Sequence, residues 1–114
     1  DRENGGARGM GVSNSAIVVT DPVGNVVGLD RNSGGSLWKQ AGLLYRNVSA
    51  PTVQGDYAVV GDFEGYLHLL SQVDGHFVGR KKIDGDGLRA RPLVVGDWIY
   101  AYGNSGKLVG LTIR

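Results

Sequence analysis

No cysteine occurs among the 114 residues. That excludes disulfides, zinc sites built on thiolates and a thiol nucleophile. No apolar run approaches the ~18 residues of a membrane span. The polar start Asp1-Arg-Glu-Asn-Gly-Gly6 is not a signal peptide. Charge of one sign is missing too: the formal net charge is +1, which predicts no strong attraction to nucleic acid or anionic lipid. Histidine is scarce, with only His68 and His76. There is no His-Glu-x-x-His pattern, no serine nucleophile elbow and no Cys–His pair. Gly103-Asn-Ser-Gly-Lys107 lacks phosphate-loop spacing, and Gly6-Ala-Arg-Gly-Met-Gly11 is not a dinucleotide fingerprint. Together these absences weigh against an enzyme, and the only route left to one is an active site shared with chain beyond these residues.

Glycine is abundant instead, at 20 of 114 residues, more than double the usual ~7%. The glycines punctuate short apolar runs, which marks them as turn residues, and 41% hydrophobic content is enough for a packed core. Three runs repeat: Ala16-Ile-Val-Val-Thr, Tyr57-Ala-Val-Val-Gly and Trp98-Ile-Tyr-Ala-Tyr, each followed by a turn and a second apolar run. Their turn glycines, Gly24, Gly65 and Gly106, recur every 41 residues, and Leu29, Leu70 and Leu111 keep the same step. Pro51 and Pro92, Asp56 and Asp97, and Gly34 and Gly75 do likewise. A period near ~40 also suits helix pairs, but no stretch keeps a helical apolar stripe for three turns without a glycine. Runs of about four to six residues rich in Val, Ile and Tyr read as strands.

Four short antiparallel strands per ~41 residues are the signature of a propeller blade. The fold expected is all-β: a β-propeller fragment of about three consecutive four-stranded antiparallel blades. The blades are placed at 10–40, 51–82 and 92–114, after a polar leading segment over 1–9. The third stops before an outer strand. Three blades form an open arc, whereas closed propellers have about four to eight, so a piece of a longer protein is expected. Near-continuous apolar strands fit blades buried on both faces, and Leu29, Leu70 and Leu111 are each expected to contribute ~1.5–3 kcal/mol through burial.

Antiparallel order puts the turns 21–25, 61–65 and 103–106 on one face with the long connections 39–49 and 80–91. Long loops on one face of a rigid repeat carry recognition. In the first connection Leu43, Leu44 and Tyr45, with Arg46 beside them, are either core folded over the blade junction or a docking patch. In the second, Arg80, Lys81, Lys82, Arg89 and Arg91 outweigh Asp84 and Asp86, as a solvated loop or as a surface for an acidic partner. No cofactor or metal site is expected. Asp30-Arg-Asn-Ser-Gly34 and Asp84-Gly-Asp-Gly87 have alternate oxygens like calcium loops but no closing carboxylate, so they read as turns. His68, mid-strand, reads as a packed or hydrogen-bonded residue.

Asp30-Arg-Asn-Ser-Gly34-Gly-Ser-Leu-Trp38 resembles the D-x-x-x-G-x-x-x-W tail of the quinoprotein (PQQ-type) propeller repeat. In that family the Trp wedges between blades and staples them. The second repeat departs from it, with Ser71 for the Asp and Gly79 for the Trp. Within the superfamily, the chain resembles the C-terminal part of the BamB family of outer-membrane β-barrel assembly lipoproteins. The residues that carry this are Gly34-Gly-Ser-Leu-Trp38, Leu43-Leu-Tyr-Arg46, Val59-Val-Gly-Asp-Phe-Glu-Gly-Tyr-Leu-His68, Asp74-Gly-His-Phe-Val78 and Gly106-Lys-Leu-Val-Gly-Leu-Thr-Ile-Arg114. The resemblance implies an eight-bladed, non-enzymatic periplasmic scaffold. Its membrane attachment is a lipid anchor absent from this chain. Its partners would be the POTRA domains of BamA, other barrel-assembly subunits and unfolded outer-membrane proteins, with no nucleic acid. The alternative is a fragment of a quinone-dependent dehydrogenase propeller.

Overall fold

The computed structural model describes residues 9–13 and 16–112. The polar leading segment lies outside them except for Gly9, which opens the first strand. Among the described residues there are eleven strands: β1 (Gly9–Val12), β2 (Ala16–Thr20), β3 (Val26–Asp30), β4 (Ser36–Gln40), β5 (Thr52–Gln54), β6 (Tyr57–Gly61), β7 (Tyr66–Ser71), β8 (Phe77–Lys82), β9 (Leu93–Val95), β10 (Trp98–Tyr102) and β11 (Leu108–Thr112). They form three antiparallel meanders in sequence order, β1–β4, β5–β8 and β9–β11. The inner strands β1, β5 and β9 lie side by side, so the sheets fan out from them as propeller blades.

The blades are held together face to face. In β6, Ala58 and Val60 pack on the first blade with Val18, Val26, Trp38 and Leu70. The intervening Val59 points the other way and joins Leu67, Ile99 and Ala101 at the junction with the third blade. Alternate side chains of one strand thus enter two cores, which is why the middle blade reads as continuously apolar. Leu70 is fully buried, as expected of it. Leu29 and Leu111 are only half-buried, contrary to the expectation for them. Each of these leucines faces the blade before its own: Leu70 faces the first blade and Leu111 the second, while Leu29 has no described blade on that side.

The repeat extends to irregularities. The ladder shifts between Gly28 and Leu29 against β4, and again between Leu69 and Leu70 against β8. These positions are one repeat apart. In each case one residue of the outer strand, Leu37 or Val78, has no partner across the ladder, as in a β-bulge.

Trp38 is 7% exposed. Its ring covers Gly28 of its own blade and Gly75 of the next, since a Cβ at either glycine would lie 2.3 Å from the indole. Its Nε1–H donates to the Gln72 carbonyl at 2.9 Å, so the indole spans two blades. Gly79 occupies the corresponding place one repeat later, on a strand whose six residues are all exposed.

The glycines differ in what they tolerate. Gly65 has φ 93° and a Cβ there would meet the Asp84 carbonyl oxygen at 1.7 Å, whereas Gly79 has open space. Gly65→Ala is therefore expected to lower stability by about 2 kcal/mol or more, and Gly79→Ala by less than about 0.5 kcal/mol. Urea unfolding of both variants checks this; equal effects would overturn the assignment.

Candidate interaction surface

Antiparallel order brings the β2–β3, β6–β7 and β10–β11 turns to one face, beside the connections that follow β4 and β8. These connections are folded into the junctions. Leu43 and Val48 belong to the core between the first two blades. Ile83 and Leu88 belong to the next, and Asp84 is buried beside them. The second connection is therefore anchored between blades at 83–84 and 87–88, while 85–86 and 89–91 stay exposed as expected of a solvated loop. It is also shorter than expected, because β8 runs on through Lys82.

The sequence-predicted residues part company here. Leu43 is core, Leu44 is half-buried and Tyr45 is 79% exposed. Tyr45 has φ 65°, and its backbone N–H donates to the Val23 carbonyl at 2.6 Å. The cations do not form one patch. Arg80 and Lys81 lie exposed on the outermost strand β8. Arg91 reaches the innermost strand, where it donates to the Met10 carbonyl at 3.2 Å. Arg89 is exposed in the same connection.

Arg46 is the pivot of a cluster that runs through the second β-turn. Its Nε donates to Asp62 Oδ2 at 2.9 Å and its Nη2 to Glu64 Oε1 at 2.7 Å. Asp62 is fully buried. Its Oδ1 accepts the Glu64 and Tyr66 amides, and its Oδ2 also contacts His68 Nε2 at 2.7 Å. Burial alone would raise the Asp62 pKa. The bonds from His68, the Tyr66 amide and Arg46 outweigh it and lower the pKa to about 2. The His68 contact bears out the reading of a hydrogen-bonded core histidine. The pairing with Asp62 was not foreseen, although one signal existed: His68 stands where the neighbouring repeats have Val27 and Val109.

Asp21 plays the same turn-capping part in the first repeat, with Oδ1 accepting the Val23, Gly24 and Asn25 amides. The third repeat has Gly103 at this position. Asp84 fills the vacancy from the neighbouring connection: its carboxylate lies where a Gly103 side chain would begin. Its Oδ2 accepts the Ser105 amide at 3.0 Å and the Ser105 hydroxyl at 2.6 Å. These bonds to Ser105 and the Asp86 amide hold the Asp84 carboxyl below the usual range. Asp84 is thus a turn cap, and so is Asp30, whose Oδ1 accepts the Asn32 and Ser33 amides.

Bordering this cluster, at the rim, an open pocket of about 290 Å³ lies between the 42–46 segment and β8. Leu43, Phe77 and Val78 form apolar walls, and Arg46, His68 and Arg80 supply the polar lining.

The profile of the family described as "Outer membrane protein assembly factor BamB" matches residues 2–114. The chain belongs to the BamB family. The outer membrane protein assembly factor BamB of Pseudomonas aeruginosa is 57% identical over 98 residues, covering 86% of the chain and 26% of that protein. BamB of Xanthomonas campestris pv. campestris is 44% identical over 112 residues, covering 98% of the chain and 28% of that protein. The chain thus spans little more than a quarter of these relatives. The crystal structure of BamB from Moraxella catarrhalis superposes with a TM-score of 0.83 at 28% identity, over 91% of the chain and 30% of that structure. The propeller-blade fold and the PQQ-like repeat expected from the sequence are therefore those of the BamB family.

Proposed function

We propose that these blades form part of a non-enzymatic scaffold subunit of the outer-membrane β-barrel assembly machinery. In the intact protein the subunit is a closed ring of eight blades, held by a lipid anchor at the periplasmic face of the outer membrane. It binds the POTRA domains of BamA and helps deliver outer-membrane proteins for insertion. The observation that carries this reading is the BamB family match across residues 2–114. Two features support it. The loop-side connections are wedged into the cores, so they present a rigid surface rather than mobile loops. The third blade ends in an apolar face, with Leu93, Trp98, Tyr102 and Leu108 at roughly half exposure or more, which a further blade would cover. The relatives' names as assembly factors favour the scaffold over the quinone-dependent dehydrogenase.

The test is binding of the isolated POTRA array of BamA to the full-length parent and to this chain. Binding by the parent is expected. If this chain also binds, the contact reaches these blades, and Tyr45, Arg46, Arg89 and Arg91 are the positions to substitute. No binding by either protein would overturn the reading. Soaking the full-length protein with pyrroloquinoline quinone and calcium is expected to leave no bound chromophore, and a bound chromophore would favour the dehydrogenase.

A further inference from the structure

Strand β8 is unlike any other strand among the described residues. All six of its residues are exposed. Its only ladder partner is β7, and no described residue donates to or accepts from the backbone along its other edge. A free edge of this length is a template for an added strand.

What flanks this edge defines the strand it would take. Pairing of Tyr66 with Lys82 and His68 with Arg80 sets these side chains on one face. There the Arg80 guanidinium lies 4.6 Å and the Lys82 ammonium 5.0 Å from the Tyr66 ring centroid. The ring holds both cations in place, yet neither lies within ion-pair distance of a carboxylate among the described residues. Lys81 adds a third cation on the opposite face. The acids nearest in the cluster are spoken for: Asp62 and Glu64 both hold Arg46. Cations on an edge strand repel another basic strand and complement an acidic one.

The rim pocket lies over the face of β7 and β8 that carries His68 and Arg80, with four residues of β8 (Phe77 to Arg80) in its lining. Its wall exists because residue 42 is glycine: a Cβ there would stand 2.7 Å from the Phe77 ring. Phe77 in turn lies against His68, with ring centroids 5.8 Å apart. The cavity of about 290 Å³ is large enough for one aliphatic or aromatic side chain and too small for a folded element.

We propose that β8 is a docking edge for an extended, acidic polypeptide segment. The segment pairs as a fifth strand, sets its carboxylates against Arg80 and Lys82, and seats one apolar side chain in the pocket walled by Leu43, Phe77 and Val78. This goes beyond the scaffold reading and stands whether or not BamA touches these blades.

The test uses this chain and three fluorescein-labelled nine-residue peptides. The first alternates glutamate with valine around a central leucine. The second has lysine for every glutamate. The third is the first peptide N-methylated at alternate backbone nitrogens. In fluorescence anisotropy only the first is expected to bind, and Arg80→Glu/Lys82→Glu is expected to weaken it about tenfold. Because both side chains are surface groups, the variant is expected to keep the wild-type circular dichroism. Three results would each overturn the proposal: no binding of the first peptide, equal binding of the lysine peptide, or equal binding of the N-methylated peptide.

Discussion

Trp38→Ala is expected to lower the unfolding free energy of this chain by about 3–5 kcal/mol. The indole is 7% exposed and touches glycines of two blades, so truncation opens a cavity that neither backbone can move to fill. The bond from Nε1 to the Gln72 carbonyl is lost as well. Trp38→Phe separates the two effects. It keeps most of the ring and leaves Gln72 short of a donor, for an expected loss of about 1 kcal/mol beyond the change in ring size. Trp98→Ala is the control: at 48% exposure it is expected to change stability by less than about 1 kcal/mol. Urea unfolding followed by circular dichroism reads all three without using the tryptophans as reporters. A Trp38→Ala loss no larger than that of Trp98→Ala would show that the indole does not staple the blades.

The same tryptophan shows how far the sequence alone can be read. The period of 41 residues marked the blades because each turn needs a glycine with positive φ, as at Gly24, Gly65 and Gly106. Trp38 was marked by a family motif, and its span onto Gly75 agrees with the role the motif implies. What the repeat could not show is where one repeat borrows from its neighbour. Asp84 caps the turn that Gly103 cannot cap, across 19 residues of sequence. Nothing in a local pattern announces that exchange. The local run of cations misled in a similar way. The cations between Arg80 and Arg91 form one cluster in sequence, but the chain between them runs from the rim to the inner strands. Arg80 therefore stacks on Tyr66 while Arg91 bonds to Met10. Leu29 failed for a third reason: equivalent positions in a repeat are equivalently buried only when each has the same neighbour.

Asp62→Asn is expected to produce the other large loss, about 3 kcal/mol near neutral pH, with a distinctive dependence on acidity. The amide preserves shape and still accepts from the turn at Oδ1. Its Nδ2, however, would face a donor that cannot change its role, Arg46 Nε, where the carboxylate now accepts, and His68 would have to present Nε2 as an acceptor to keep its contact. The unfolded chain returns Asp62 to its ordinary pKa of 3.8, whereas the fold lowers it to about 2. A depressed carboxylate pKa stabilises the fold above the unfolded value, and that share is lost as pH falls through the folded one. About 2 kcal/mol of wild-type stability should therefore disappear between roughly pH 4 and pH 2 through Asp62. Asp21, Asp74 and Asp84 are also held low, so wild-type acid sensitivity alone cannot isolate it. The gap between wild type and Asp62→Asn can, because the other carboxylates are common to both. That gap should be widest near neutrality and narrow to roughly 1 kcal/mol as pH approaches about 2. Urea midpoints measured across the range test it, and a gap independent of pH would show that the buried carboxylate is not held by charge.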